Sequence, residues 1–156
     1  DDVESRGLGD VYKRQFLTLP VAELDLSYRH SIIPERGYLV VSAVLELHPG
    51  KAEEIRAVME DLKEKRVSKQ PLEYPSAGST FKRPEGYFAG KLIMDSNLAG
   101  YTVGGAQVSA KHCGFVINKG GATAADVVKL IGDVQRIVKD KYNVGLEPEV
   151  KMIGEF

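Results

Sequence analysis

Tryptophan is absent and cysteine occurs once, at Cys113, so no internal disulfide can cross-link the chain. A lone thiol fits a reducing compartment, and we expect a cytoplasmic location. The three histidines, His30, His48 and His112, are too widely spaced to form a metal-ligand pattern, so no metal is expected. Neither sign of charge is in excess: 21 Lys and Arg stand against 22 Asp and Glu, a formal net charge of −1. With its basic residues scattered and not clustered on one segment, the chain gives no long-range field to steer nucleic acid, and no nucleic-acid partner is expected. Long apolar runs are missing as well. The longest, 39–47, is interrupted by Ser42 and Glu46 and is far short of the ~20 residues a spanning helix needs. No signal peptide, internal repeat or low-complexity segment is visible. What remains, 156 residues that are 43% hydrophobic, can build one substantial core or two small ones.

Residues 1–15 show neither helical nor strand periodicity and begin without methionine. Their piece 9–15 resembles a translated sequencing-adaptor junction, and we expect 1–15 to be a non-native or truncated leader. Thr18 to Pro20 leads into a short helical turn around Ala22 and Glu23. Leu39, Val41, Ala43, Leu45 and Leu47 alternate against Ser42 and Glu46, which predicts a half-buried strand over 38–47. Pro49 and Gly50 end it. Ile55, Val58, Met59 and Leu62 recur at helical spacing and predict a helix over 51–66 whose apolar stripe is core. Phe88, Leu92 and Ile93 predict a short helix over 87–95. A strand follows at 115–118, and then a turn at 119–121 opens a helix capped by Thr123 with Asp126 three residues on. Val127, Ile131, Val134, Val138 and Tyr142 are its expected buried stripe, and it should be the longest helix. Gly145 is expected to break it, and 146–153 reads as a final strand with Pro148 at its start or on an edge.

Two glycine-rich stretches fail as nucleotide loops. The segment 86–91 has one spacer residue too few for a phosphate loop, with Leu92 where a Ser or Thr is required. Gly104-Gly105 lacks the third glycine and the following acid of a dinucleotide fingerprint, so close backbone approach is the expected use of these glycines. The succession of elements predicts an α+β fold in two pieces, 16–70 together with 146–156, and 71–145.

The stretch 71–84, PLEYPSAGSTFKRP, concentrates three prolines with Ala77-Gly78, which predicts that Ser79 sits on a tight, rigid turn. A hydroxyl so presented serves as proton donor or nucleophile, or simply as a turn serine. Together with 100–112 (GYTVGGAQVSAKH), Val116-Ile117-Asn118 followed by 121–127 (GATAADV), 146–150 (LEPEV) and, upstream, Tyr28-Arg29-His30-Ser31, this stretch resembles the UDP-N-acetylenolpyruvoylglucosamine reductase family, the flavoenzymes of bacterial cell-wall precursor synthesis. Five motifs in order span roughly 16–155.

The resemblance implies that 16–70 with 146–156 is the remnant of a mixed α/β flavin-binding region and 71–145 a small α+β C-terminal substrate-binding domain. It implies FAD, held mainly by an upstream domain, and NADPH as co-substrate. Arg29, Ser79 and Glu149 match the catalytic positions: Arg29 for the substrate carboxylate, Ser79 as proton donor, and Glu149 for the enolate. Lys69, Arg83, Tyr87 and His112 match positions expected to bind the nucleotide sugar, and Arg66 a flavin contact. Where related sequences commonly carry asparagine, this chain has Arg83, and the short interval from Lys65 to Tyr74 matches the shorter type of the family. We expect a monomer that binds a UDP-sugar and neither nucleic acid nor membrane. Two readings compete. One is a serine hydrolase using Ser79 with His112 and Glu149, against which stands the lack of a Gly-x-Ser-x-Gly elbow. The other is a stand-alone nucleotide-sugar-binding module.

Overall fold

The computed structural model describes residues 3–10 and 15–154, and the chain divides into two compact units, Asp1–Ile55 and Arg56–Phe156.

In the first unit, strand β1 (Val3–Asp10) pairs antiparallel with β2 (Gln15–Leu19), β3 (Tyr38–Val40) and β4 (Val44–Leu45). Residues 3–10 are therefore a strand, although their sequence carries no alternating pattern; pairing to three neighbours supplies what periodicity does not. A 3-10 turn (Val21–Glu23) and the single-turn helix α1 (Ile32–Glu35) follow, and the turn leads directly to the buried Leu24. The half-buried strand expected over 38–47 is two short pieces instead. Leu8 opposes Val40 while Val3 opposes Leu45, so the segment reaches the two ends of β1 separately and is irregular between them. Leu39, Val41, Leu45 and Leu47 are exposed. Alternation establishes a pleat, but burial needs a layer over one face.

Helix α2 (Ala52–Lys69) forms where the i, i+3, i+4 spacing predicts it, with Glu53 and Glu54 in its first turn and Arg66 and Lys69 in its last, each favourable to the helix dipole. Its stripe is not core: Ile55, Val58, Met59 and Leu62 are all exposed. The unit boundary falls inside this helix, not at Gln70.

The second unit contains a four-stranded antiparallel sheet in the order β5 (Ser76–Ser79), β8 (Phe115–Asn118), β7 (Ala106–Val108), β6 (Thr102–Val103). Helices α3 (Ala89–Asp95) and α4 (Ala124–Tyr142) pack with it around a core that includes Leu92, Ile93, Val108, Leu130, Ile131, Val134 and Val138. α4 is the longest helix, and its Thr123 and Asp126 form the expected capping box: the Asp126 amide donates to Thr123 Oγ1 at 3.1 Å and the Thr123 amide to Asp126 Oδ2 at 2.9 Å. It ends at Asn143, which takes the left-handed conformation (φ 55°) and donates its amide to Lys139 O at 2.8 Å, two residues before the expected Gly145. β6 and β7 form a hairpin over Gly104-Gly105 that the sequence reading did not anticipate. Residues 146–153 are not a strand; they make a single antiparallel bridge, Pro148 opposite Phe81. Pro148 has no N–H with which to extend a ladder. That bridge also fixes the segment within the second unit, not with the first as expected. The α+β class is as predicted, and among the described residues no helix is long and apolar enough to cross a membrane.

Candidate functional site

Arg29 lies in the first unit and the other expected catalytic residues in the second. In the first, Ser27 and His30 exchange amide-to-carbonyl hydrogen bonds of 3.2 Å in both directions, closing a two-residue turn with Tyr28 and Arg29 at its tip. Arg29 occupies the left-handed region (φ 57°), an uncommon state for an arginine that the surrounding turn must hold. Its guanidinium carbon stands 5.3 Å from the centre of the Tyr28 ring. His30 braces the turn, with Nε2 2.9 Å from Asp25 Oδ2 and Nδ1 3.5 Å from Glu35 Oε1. The bond to Asp25 raises the His30 pKa above its ordinary value.

In the second unit, Ser79 is not on a turn. It is the last residue of β5, opposite Phe115 of β8, and the register slips between Ser76 and Ser79. Gly78 in the slipped stretch has φ 86°, a conformation that glycine adopts without cost. The bulge leaves Ser79 exposed and sends the next side chain, Thr80, into the interior.

From there the chain runs antiparallel to 147–149. The Glu149 amide donates to Thr80 O at 2.8 Å, the Lys82 amide to Glu147 O at 2.8 Å, and Lys82 Nζ pairs with Glu147 Oε1. Ser79 and Glu149, which are 70 positions apart in sequence, thus lie in adjoining segments of backbone. The two glutamates are unlike. Glu147 is exposed and occupied by Lys82, whereas Glu149 is half-buried, so it does not lie on a wholly solvated face.

Arg83 stacks on Phe88 with its guanidinium carbon 4.0 Å from the ring centre, and its Nε donates to the Tyr87 carbonyl at 3.4 Å. Tyr87, itself exposed, follows a turn in which its amide donates to Pro84 O. His112 is half-buried between Gly90 and Gly114, where a Cβ on Gly114 would come within 2.9 Å of the ring. Its Nδ1 accepts the Gly114 amide at 3.1 Å, and Phe115 meets the ring edge-on at 4.9 Å. With Nδ1 an acceptor, the neutral ring carries its proton on Nε2 and presents a donor.

Lys69 closes α2 and is exposed. Arg66, one turn earlier, donates from Nε to Gln70 Oε1 at 3.3 Å with its guanidinium exposed, chemistry that fits one contact to a flavin's phosphate or carbonyl oxygens. Two further cations in this unit were not singled out in the sequence. Lys119 Nζ lies 4.0 Å over the Tyr74 ring and bonds its hydroxyl, and Lys111 Nζ donates to Val67 O at 2.9 Å beside Glu73. Only their lying on turns next to glycine or histidine hinted at them.

A cavity of about 350 Å³ opens beside Thr80, lined by Pro75, Ser76, Ala77, Val116, Ile117, Asn118, Val127, Ile131 and Val150. It has no charged side chain, so its chemistry does not suit a diphosphate.

Residues 70–153 match the family described as UDP-N-acetylenolpyruvoylglucosamine reductase, C-terminal domain. A UDP-N-acetylenolpyruvoylglucosamine reductase from Agathobacter rectalis is 70% identical over 134 residues, 86% of this chain and 43% of that protein. One from Lachnoclostridium phytofermentans is 64% identical over 141 residues, 90% of this chain and 46% of that protein. The crystal structure of UDP-N-acetylenolpyruvylglucosamine reductase from Thermus caldophilus superimposes with a TM-score of 0.80 at 33% identity, covering 97% of this chain and 54% of that one. The chain spans less than half the length of these two curated relatives.

Proposed function

This chain belongs to the family of UDP-N-acetylenolpyruvoylglucosamine reductase C-terminal domains, and from that premise we propose that it supplies the substrate-protonating residues of a reductase. That enzyme converts UDP-N-acetylglucosamine enolpyruvate to UDP-N-acetylmuramate in peptidoglycan precursor synthesis in the bacterial cytoplasm, with NADPH as co-substrate. Arg66 of this chain would make one contact to a bound FAD, which, once reduced by NADPH, would supply the hydride for the β carbon of the enolpyruvyl ether.

Reduction at the β carbon leaves negative charge on the α carbon and its carboxylate, and this chain carries residues whose chemistry suits that charge. Arg29, held at the tip of its turn, clamps the carboxylate with two parallel N–H donors. Ser79 donates its hydroxyl proton to the α carbon; a hydroxyl is a weak acid, but a strongly basic carbon in contact with it is a willing acceptor. Glu149, a half-buried carboxyl, supplies a hydrogen bond to the enolate in its neutral form. Arg83, Lys69 and Tyr87 contact the diphosphate and sugar, and His112 donates from Nε2. The observation that supports this reading is the main-chain bond from the Glu149 amide to the Thr80 carbonyl, which joins the backbone of Glu149 to the residue that follows Ser79.

A serine-hydrolase reading is disfavoured because His112 would have to be the base. Its Nδ1 lone pair accepts the Gly114 amide, so the neutral ring has no free lone pair with which to take the serine proton. The test is transplantation of 16–154 into the Agathobacter rectalis relative in place of its matching segment. The chimera should form UDP-N-acetylmuramate from the enolpyruvyl substrate and NADPH; a folded, flavin-loaded chimera with no product would overturn the assignment.

A further inference from the structure

Thr80 separates the two residues given chemical roles above, and it is 3% exposed. Each of its polar groups has a partner. The amide donates to Gly114 O at 2.8 Å, the carbonyl accepts the Glu149 amide at 2.8 Å, and Oγ1 accepts the Val116 amide at 3.0 Å. The last bond is unusual for a strand, because a side chain takes an amide that a carbonyl would take in a regular ladder. It occurs just after the register slip between Ser76 and Ser79. Without Oγ1 the buried Val116 N–H would be orphaned, an expensive defect in a core. Threonine is also stiff about χ1, so a hydroxyl tied to β8 fixes the backbone that carries it.

We propose that Thr80 is a positioning residue of the protonation step: its hydroxyl locks the bulge to β8, and its carbonyl sets Glu149 at a fixed place relative to Ser79. The proposal rests on the reading of Ser79 as proton donor and Glu149 as its partner at the enolate. Serine at this position keeps the bond and valine removes it at nearly constant shape, so the pair separates the hydroxyl from the packing.

The experiment uses the complete flavin-loaded chimera. Thr80→Val should leave reduction of the flavin by NADPH unchanged and slow its reoxidation by saturating enolpyruvyl substrate about tenfold to a hundredfold, the scale of a small misplacement of reacting groups. The loss should fall on kcat with KM little altered, Thr80→Ser should restore most of the rate, and the Glu149 and Val116 amides should exchange faster in Thr80→Val. If Thr80→Val does not fold, Thr80→Ala is judged on the same readouts. A wild-type reoxidation rate in the hydroxyl-free variant overturns the proposal, as does a Thr80→Ser variant as slow as Thr80→Val. Ser79→Ala run in parallel separates the two claims. If it reoxidises normally, the underlying reading falls, whereas slow Ser79→Ala with normal Thr80→Val removes only the role of Thr80.

Discussion

The carboxylate of Asp126 fills the space where Gly104 would carry a side chain: a Cβ there would lie 2.4 Å from Asp126 Cγ. The cap of α4 and the β6–β7 hairpin are therefore one construction. Asp126 accepts the Thr123 amide at 2.9 Å, and the Lys119 amide donates to Gly105 O at 2.9 Å. Asn118 Oδ1 completes the corner by accepting the amides of Gly120 and Ala122.

Gly105→Ala should accordingly destabilise the chain more than Gly104→Ala. At 105 the new Cβ would meet backbone, 2.3 Å from Gly120 O and 2.4 Å from Ala122 N, and backbone cannot swing aside as a side chain can. Gly104→Ala adds strain at φ 53° but presses on a carboxylate that can rotate. Thermal melting of the two variants checks the order.

Asp126 also sets a pH dependence. The Thr123 amide and hydroxyl, with the Gly105 amide, hold its pKa below the ordinary carboxylate value. A group whose pKa is depressed on folding adds stability that is full above its unfolded pKa and lost as pH falls through the folded one. The gap in melting temperature between the wild type and Asp126→Asn should therefore shrink on acidification from about pH 5 to about pH 2. A gap independent of pH would mean that the bonds, and not the charge, do the stabilising.

The helices show what a sequence makes legible. Val127, Ile131, Val134 and Val138 follow the same spacing rule as Ile55, Val58, Met59 and Leu62, and the Thr123–Asp126 box could be read directly. Yet only the first stripe lies in the core. Periodicity states which face of a helix is apolar, and coverage depends on what packs there, which no local pattern encodes. The same limit explains the exposed 38–47 segment. The partnership of 147–149 with 80–82 was hidden because a proline-centred bridge has no strand signature, although the residues that it joins could be named from their motifs. Ile131→Ala should cost about 2 to 5 kcal/mol in this chain and Met59→Ala no more than about 0.5 kcal/mol, read from denaturant unfolding.

Arg29→Lys in the complete chimera should lower turnover of the enolpyruvyl substrate by about 10²-fold to 10³-fold, because a point charge cannot reproduce a planar fork on a carboxylate. The left-handed φ of 57° at this position is open to lysine at similar cost, so the fold of the turn should be kept. Unchanged steady-state kinetics would remove Arg29 from the carboxylate.

The most direct test of the account is stopped-flow absorbance of the two half-reactions in Ser79→Ala. Ser79 acts only on the substrate's α carbon, so NADPH should bleach the flavin at nearly the wild-type rate. Reoxidation by the enolpyruvyl substrate should slow by about 10²-fold to 10⁴-fold, the range for losing a positioned general acid. Ser79→Cys should recover part of that rate, since a thiol is the better acid in a similar place. Equal slowing of both half-reactions, or of neither, would contradict the assignment of Ser79 as proton donor.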